Sequence, residues 1–301
     1  MTDAPPAPGT RGRVGALVAG VRPRQWSKNL LVLGAPLMAG RLDERDVLVN
    51  SLVAVVAYCL GASGVYLVND ALDVEADRRH PVKRLRPVAS GDLGVRTAIA
   101  CGAVLQVLAV GAALVSGLPL AAVVASYLVI SLAYSLFLKH EPVLDIAVVA
   151  SGFLLRAVAG GVASGIPLSQ WFLLCASFGS LFMAAGKRYA EAHLDLAGSG
   201  RTRQSLVRYT TSYLRFVWTM SAGLLIIVYS LWAFEIDDEP GGSTLTVISI
   251  APFVLAVLRY ALAIDARTAG EPEDIALTDR VLQVLAATWL VTAAGAVYWG
   301  R

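Results

Sequence analysis

The sequence contains few of the residues that build disulfide frameworks and zinc centres. It has three cysteines and three histidines in 301 residues. Cys59, Cys101 and Cys175 lie within apolar segments, without a disulfide or metal-ligand spacing. The histidines are scattered and share no metal-ligand spacing either. These scarcities argue against a disulfide-stapled secreted domain and against a zinc site.

Charged residues are scarce as well, which excludes an ordinary soluble domain. Only 16% of the residues are charged, 56% are hydrophobic, and the mean hydropathy is +0.65. We find no Gly-rich nucleotide-binding loop, no coiled-coil pattern and no cleavable signal peptide. We therefore expect an integral membrane protein that binds no nucleic acid. A disordered cytoplasmic N-terminus at 1–20 would precede a single transmembrane domain at 21–301.

Apolar windows of about 20 residues predict nine membrane-spanning helices, and so an all-α bundle. The spans lie near 27–41, 47–69, 95–115, 119–138, 143–163, 170–187, 216–235, 243–261 and 281–300. Lysines and arginines collect on one side of these spans, and the other side holds only Arg41, Arg45 and Arg301. The positive-inside rule then predicts an inside N-terminus and an outside C-terminus in the inner (plasma) membrane.

The most distinctive polar segment is an acidic run that ends the second predicted span, Asn69-Asp70-Ala71-Leu72-Asp73-Val74-Glu75-Ala76-Asp77. Asp70, Asp73 and Asp77 are three and four residues apart, so a continuous helix would place their carboxylates on one face. Like charges that close repel unless a cation neutralises them, and carboxylates suit hard divalent cations. The run predicts a site for Mg²⁺ carrying a diphosphate at the membrane surface.

The acidic run and the following turn, Arg86-Pro87-Val88-Ala89-Ser90-Gly91, resemble the first signature of the UbiA superfamily of membrane transferases. The resemblance implies a nine-helix bundle whose aspartates bind Mg²⁺ and a diphosphate at a cavity open to the cytoplasm. The helix count and orientation predicted above agree with this architecture.

The chain departs from typical UbiA prenyltransferases at the second aspartate-rich motif, which is expected after the sixth helix. Here that segment reads Gly186-Lys187-Arg188-Tyr189-Ala190-Glu191-Ala192-His193-Leu194-Asp195. The basic pair Lys187 and Arg188 replaces two acids, while Glu191 and Asp195 are retained. One acidic and one basic cluster suit a metal diphosphate together with further phosphates that are bound directly.

Several further segments resemble one branch of the superfamily, the decaprenyl-phosphate phosphoribosyltransferases. They are Arg22 to Asn29, Lys83 to Pro87, Leu155 to Gly161, Gly186 to Glu191, Tyr213 to Trp218 and Gly270 to Asp274. The resemblance implies Mg²⁺-dependent transfer of 5-phosphoribose from 5-phosphoribosyl 1-diphosphate (PRPP), taken from the cytoplasm. The acceptor would be decaprenyl (polyprenyl) phosphate in the bilayer, and pyrophosphate would leave. The product would serve as an arabinan cell-wall precursor.

That reaction suggests a role for each candidate residue. Asp70, Asp73 and Asp77 would be the catalytic metal ligands, and Asn69 would hydrogen-bond phosphate or ribose hydroxyls. The lipid phosphate is already anionic, so catalysis would rest on positioning and electrostatics. Cations and tyrosines that could bind the phosphates or the sugar are Arg24, Lys28, Tyr66, Lys83, Arg84, Arg86, Lys187, Arg188 and Tyr189.

Each of these residues has an alternative explanation. A basic residue at the inner membrane surface also satisfies the positive-inside rule, and an interfacial tyrosine belt also accounts for the tyrosines. Glu191 is either a remnant of the second acidic motif or part of a solvated helix face. Of these residues, Lys28 and Lys187 are the strongest candidates, because each adjoins the inner end of a predicted helix.

Two charged residues fall inside the fifth predicted helix, where a charge is expensive. Arg156 is expected to meet a bound anion. For Asp145 we favour a carboxylate near the inner helix end that reaches water and benefits from the helix dipole. The glycine pair at 160–161 is expected to permit close helix packing rather than to bind phosphate.

Two other functions are compatible with parts of this pattern. One is a UbiA-type prenyltransferase with an aromatic or isoprenoid acceptor, although most of the second acidic motif is missing. The other is a transporter, which disagrees with charges that cluster at one membrane surface rather than at the midplane. A homo-oligomer is compatible with the sequence, which leaves the oligomeric state and the lipid chain length open.

Overall fold

Helices account for all the regular secondary structure in the part of the chain that the computed structural model describes, residues 12–196, 208–238, 243–266, 275 and 278–299. The α-helices are α1 (Arg13–Val21), α2 (Gly34–Met38), α3 (Arg45–Leu72), α4 (Val74–Arg79), α5 (Val95–Val115), α6 (Leu118–Leu136), α7 (Leu144–Ser164), α8 (Gln170–Leu196), α9 (Thr211–Asp238), α10 (Thr244–Asp265) and α11 (Arg280–Trp299). The 3₁₀ helices occupy Pro23–Leu33, Lys83–Leu85 and Leu138–His140. The all-α prediction is confirmed.

Seven helices are long and apolar enough to cross a membrane by length and composition. They are α3, α5, α6, α7, α9, α10 and α11. Helix α8 is 27 residues long, but its second half contains Lys187, Arg188 and Glu191, which lower its hydropathy. The described residues therefore provide seven candidate spans, and nine spans stay a prediction.

The first predicted span, at 27–41, is not one α-helix. Residues Pro23–Leu33 form a 3₁₀ helix, and only Gly34–Met38 is α-helical. Two prolines and a polar stretch explain the difference, because Pro23 and Pro36 interrupt α-helical hydrogen bonding and Ser27 to Asn29 provide no apolar face.

The N-terminus also differs from the expected disorder over 1–20. Residues 1–11 lie outside the described part of the chain, but Arg13–Val21 forms α1. This helix places Ala16 in a buried cluster with Leu67, Val88 and Leu93. Apolar burial stabilises α1 although its flank is rich in proline and glycine.

The chain divides into two compact units. The first comprises Met1–Leu30 and Leu52–Leu138, and the second comprises Leu31–Ser51 and Lys139–Arg301. The first unit contains a buried cluster around Leu67. The second unit contains a buried cluster rich in aromatic residues, which includes Phe182, Tyr189 and Trp218. The expected single domain over 21–301 stays a prediction.

Within the second unit, Gly160 on α7 allows close approach of the backbone. A Cβ atom at this position would overlap the carbonyl oxygen of Val32 and crowd Pro36. A backbone oxygen cannot rotate away, so only glycine fits here. At Gly161 a Cβ would meet Leu168. The interpretation of the pair as a packing feature is confirmed.

Candidate active site

Asp70 lies in the last turn of α3 and is almost completely buried, with 1% of its surface exposed. Its Oδ1 atom accepts hydrogen bonds from Nη2 of Arg22 at 2.5 Å and from Nη1 of Arg86 at 3.1 Å. Its Oδ2 atom is buried and has no hydrogen-bond partner. A buried oxygen without a partner is costly, so this atom is suited to receive a ligand.

Asp73 and Asp77 follow a break in the helix. Helix α3 ends at Leu72, and α4 begins one residue after Asp73, so the expected continuous helix over the acidic run is wrong by one residue. The helical path nevertheless persists, because Asp73 N donates to Asn69 O at 2.9 Å and Asp77 N donates to Asp73 O at 2.8 Å. The three aspartates therefore still follow one another along a helical backbone path, as the spacing predicted.

Arg86 links two of the carboxylates. Its Nη1 atom donates to Oδ2 of Asp77 at 2.7 Å as well as to Oδ1 of Asp70. Asp77 is 3% exposed, and Asp73 is partly exposed. The repulsion that the sequence predicted between the acids is thus relieved by an arginine, which the sequence assigned to phosphate binding.

The donor set is compatible with a metal that shares its coordination with a substrate. Within the described ranges no three His, Cys, Asp or Glu side chains are arranged to hold a metal by themselves. Mg²⁺, however, uses one or two carboxylates together with phosphate oxygens and water. The orphaned Oδ2 of Asp70 and the nearby Asp77 carboxylate provide that smaller set.

Other predicted residues of the first unit differ in exposure. Lys28 is partly buried and donates to Oε1 of Gln25 at 2.5 Å. Arg24 and Arg84 are exposed, while Lys83 is partly buried. This exposure is compatible with phosphate binding and equally with a surface that follows the positive-inside rule.

Arg22 was not among the predicted site residues, although it forms an ion pair with one of them. Besides its ion pair with Asp70, its guanidinium carbon lies 4.9 Å from the centre of the Tyr66 ring. The sequence signal was present, because Arg22 begins the first segment that resembles the phosphoribosyltransferases. Its partner was hidden, because the two ends of the ion pair are 48 residues apart.

In the second unit, Arg188 forms a buried ion pair that the sequence did not predict. Its Nε donates to Oδ2 of Asp145 at 2.8 Å, and its Nη1 donates to Oε2 of Glu191 at 2.7 Å. Asp145 was expected to reach water, but it is 0% exposed and also accepts from the Tyr209 hydroxyl at 2.6 Å. The expected contact with water was wrong because Arg188 and Tyr209 together replace water. The expected position at the helix N-terminus is confirmed, because Asp145 lies in the first turn of α7.

Tyr209 is a neutral donor in this network. Burial, followed by the hydrogen bond to Asp145, raises the pKa of its phenol far above the ordinary value. Its oxygen in turn accepts from the backbone N of Val143 at 2.5 Å. The network therefore ties the start of α7 to α8 and to the segment before α9.

Tyr189 is buried at 1% exposure, and its hydroxyl takes part in a second network. Arg215 donates to this oxygen from Nη2 at 2.7 Å and from Nε at 3.2 Å, and the hydroxyl donates to Oδ1 of Asp265 at 3.0 Å. Arg215 and Asp265 were not among the predicted site residues. Tyr189 can act on a ligand only through this network or after rearrangement.

Two remaining candidates lie on α7 and α8. Arg156 is 6% exposed, and its Nη1 donates to the backbone oxygen of Gly152 at 2.5 Å. Lys187 is partly buried. Their expected roles in anion binding stay predictions.

Comparison with known proteins adds three findings. Residues 30–285 match the sequence model of the UbiA prenyltransferase family. The chain is 50% identical to the decaprenyl-phosphate phosphoribosyltransferase of Mycolicibacterium smegmatis, over 98% of this chain and 96% of that protein. It is 51% identical to the protein of the same name from Mycobacterium tuberculosis, over 95% of this chain and 96% of that protein.

A solved UbiA homologue from Archaeoglobus fulgidus, bound to GPP and Mg²⁺, has the same fold with a TM-score of 0.72. That homologue is 16% identical, over 94% of this chain and 99% of its own.

Proposed function

This chain belongs to the UbiA prenyltransferase family, and from that premise we propose that it transfers 5-phosphoribose from PRPP to a polyprenyl phosphate. The observation that carries the proposal is the identity of about half the residues, over nearly the whole length of both chains, with decaprenyl-phosphate phosphoribosyltransferases. The chain is therefore a membrane transferase that uses a sugar diphosphate and a lipid phosphate.

The reaction exchanges one C–O bond for another. The bond between ribose C1 and the diphosphate oxygen breaks, and the electron pair leaves with pyrophosphate. An oxygen of the lipid phosphate forms the new bond to C1. Because this oxygen is already anionic at neutral pH, no general base is needed, and the protein contributes mainly positioning and charge.

The acidic residues of the first unit are the proposed diphosphate end of the donor site. Asp70 presents a buried oxygen without a hydrogen-bond partner. Asp77 is linked to Asp70 because both accept a hydrogen bond from Arg86. Asp73 is the third acid and is more exposed than the other two. Bound Mg²⁺ would stabilise the charge that develops on the departing diphosphate. The solved homologue from A. fulgidus contains Mg²⁺, which supports the use of a divalent metal in this fold.

The proposed contacts to the remaining phosphates and the sugar are the predicted basic and polar residues. They are Arg24, Lys28, Tyr66, Asn69, Lys83, Arg84, Arg86, Arg156, Lys187 and Tyr189. The charge of Arg188 is already matched by Asp145 and Glu191. We therefore assign the phosphate contact of this segment to Lys187 and assign Arg188 and Glu191 to holding α8 in place.

The membrane arrangement is part of the same proposal. We propose nine crossings, to which the segment at 27–41 and α8 contribute besides the seven candidate spans, with the N-terminus inside and the C-terminus outside. The protein would lie in the plasma membrane, with PRPP arriving from the cytoplasm and the lipid from the bilayer. The one-sided distribution of lysine and arginine supports this orientation.

A direct transfer assay tests the function. Purified protein in detergent is incubated with PRPP labelled in the ribose, decaprenyl phosphate and Mg²⁺, and the organic phase is counted. We expect label in the lipid, pyrophosphate in the aqueous phase, and loss of both on addition of a chelator. An organic phase without label, from protein that is folded and monodisperse, would refute the proposal.

A further inference from the structure

Arg22 reaches Asp70 because of the unusual way in which the chain leaves α1. The helix ends at Val21, and Arg22 adopts the left-handed conformation with φ 52° and ψ 65°. Its carbonyl oxygen then accepts from Gln25 N at 2.9 Å as the 3₁₀ helix begins. A non-glycine residue in this conformation is uncommon and must be held there by its surroundings.

A single buried serine holds both sides of this turn. The hydroxyl of Ser63, at 2% exposure, donates to the carbonyl oxygen of Val21 at 3.1 Å and accepts from Nε1 of Trp26 at 3.1 Å. Gly20 lies so close to Leu67 that a Cβ at this position would be 2.7 Å from Cδ2 of that leucine. The backbone around Arg22 is therefore fixed to α3.

The residues of α3 that receive this segment follow one helix face. Ser63, Tyr66, Leu67 and Asp70 are spaced at i, i+3, i+4 and i+7, so they lie in a row along the helix. The turn docks at the Ser63 end, and the guanidinium of Arg22 extends past the Tyr66 ring to Asp70. This arrangement places the Arg22 guanidinium against a single carboxylate oxygen, Oδ1 of Asp70.

We propose that Arg22 is a positioning residue that holds Asp70 through Oδ1 and so presents Oδ2 to the metal diphosphate of the proposed reaction. The inference rests on that proposed function. Arg22 and Arg86 both bond to Oδ1, while Oδ2 is buried with no partner. The carboxylate is thereby oriented before any ligand arrives, in the way that outer-shell hydrogen bonds orient metal ligands elsewhere.

Arginine suits this task better than lysine. Its planar guanidinium can stack on Tyr66 and donate to Asp70 at the same time, whereas an ammonium group has no plane to stack. Arg22→Lys should therefore retain the charge and only part of the orientation. If Arg22 acts by positioning Asp70, metal binding should weaken stepwise from arginine to lysine to alanine at this position.

The test measures metal binding directly, apart from turnover. Mn²⁺ replaces Mg²⁺ as the probe, and its binding to the purified protein in the presence of pyrophosphate is followed by electron paramagnetic resonance. We expect Arg22→Ala to weaken Mn²⁺ binding by about ten-fold or more, with Arg22→Lys between it and the wild type. The matched control is Arg13→Ala, an exposed arginine of α1, which should bind as the wild type does.

A second variant keeps the test decisive if Arg22→Ala folds poorly. Ser63→Ala retains Arg22 and removes the hydrogen bonds to the Val21 carbonyl oxygen and to the Trp26 side chain on either side of it. Mn²⁺ binding should therefore weaken in the same direction. Unchanged Mn²⁺ affinity in Arg22→Lys and Ser63→Ala, or a wild type that binds no Mn²⁺ with pyrophosphate, overturns the inference. Failure of the transfer assay alone refutes the proposed reaction, because the Mn²⁺ measurement needs no turnover.

Discussion

Asp70 and Asp77 are carboxylates whose charge is matched by arginine rather than by water. Arg86 bonds to both, and Arg22 adds a second cation at Asp70. The Arg86 pairs can be exchanged, because a guanidinium that leaves a carboxylate can bind a diphosphate in a bidentate manner. Arg86 is therefore compatible with both the ligand-free and the donor-bound site, while Arg22 stays on Asp70.

Asp77→Ala tests the role of the acidic run. We expect loss of turnover by at least about 100-fold, since the proposed metal ligand and the partner of Arg86 are removed together. The matched control is Glu75→Ala, because Glu75 lies in the same short helix and its side chain is 75% exposed. Phosphoribosyl transfer is measured alongside thermal unfolding. Turnover of Asp77→Ala equal to that of Glu75→Ala would place the metal elsewhere.

The sequence predicted the acidic residues because their relation is local. A spacing of three and four along a helix is legible without a structure. The two buried ion pairs were not predictable in this way, because Arg22 and Asp70 are 48 residues apart and Asp145 and Arg188 are 43 apart. Backbone turns and helix packing decide which distant charged residues come into contact. This information cannot be obtained from the residue types and their local spacing.

At the scale of elements, hydropathy predicted the long helices well. The spans expected at 95–115 and 143–163 correspond to Val95–Val115 and Leu144–Ser164. It failed at 27–41, where proline and polar residues favour a 3₁₀ helix over an α-helix. Apolar content marks a segment as buried or lipid-facing, but the type of helix is decided by backbone hydrogen bonding.

The Asp145–Arg188 ion pair ties α7 to α8, and we expect its loss to be expensive. The two side chains are 0% and 3% exposed, so Asp145→Ala leaves Nε of the buried Arg188 without this acceptor, while the partly exposed Glu191 still pairs with Nη1. The loss should cost about 3–5 kcal/mol. The control is Glu141→Ala, which breaks an exposed pair with Arg208 at 3.7 Å and should cost at most about 1 kcal/mol. Thermal unfolding in detergent measures both, and equal midpoints would mean that Arg188 finds another anion.

Gly160 makes a sharper prediction about packing. In Gly160→Ala the new methyl group overlaps the backbone oxygen of Val32, so the variant should lose about 1–3 kcal/mol or more of stability. Gly223→Ala is the control, because nothing lies within 4 Å of a Cβ at that position of α9. The control should unfold at the wild-type temperature or above it, since alanine favours a helix. Similar losses in both variants would contradict the close approach.

At the scale of the whole molecule, the decisive feature is the replacement of one acidic motif by a basic pair. A prenyl diphosphate and an aromatic acceptor carry a single diphosphate between them. PRPP and a lipid phosphate carry three phosphate-bearing positions, namely the 1-diphosphate, the 5-phosphate and the lipid phosphate. Lys187 and Arg188 stand where a typical prenyltransferase has two acids of its second motif. A cation at this position suits the pair of substrates that carries more phosphate groups.

The central claim is the choice of donor, and a competition between donors tests it most directly. Purified protein in detergent with Mg²⁺ is offered PRPP and a prenyl diphosphate together, with decaprenyl phosphate and 4-hydroxybenzoate as acceptors, and the lipid products are identified by mass spectrometry. We predict phosphoribosylated decaprenyl phosphate as the product, with the prenyl diphosphate unconsumed. A prenylated aromatic product without phosphoribosylated lipid would contradict the account.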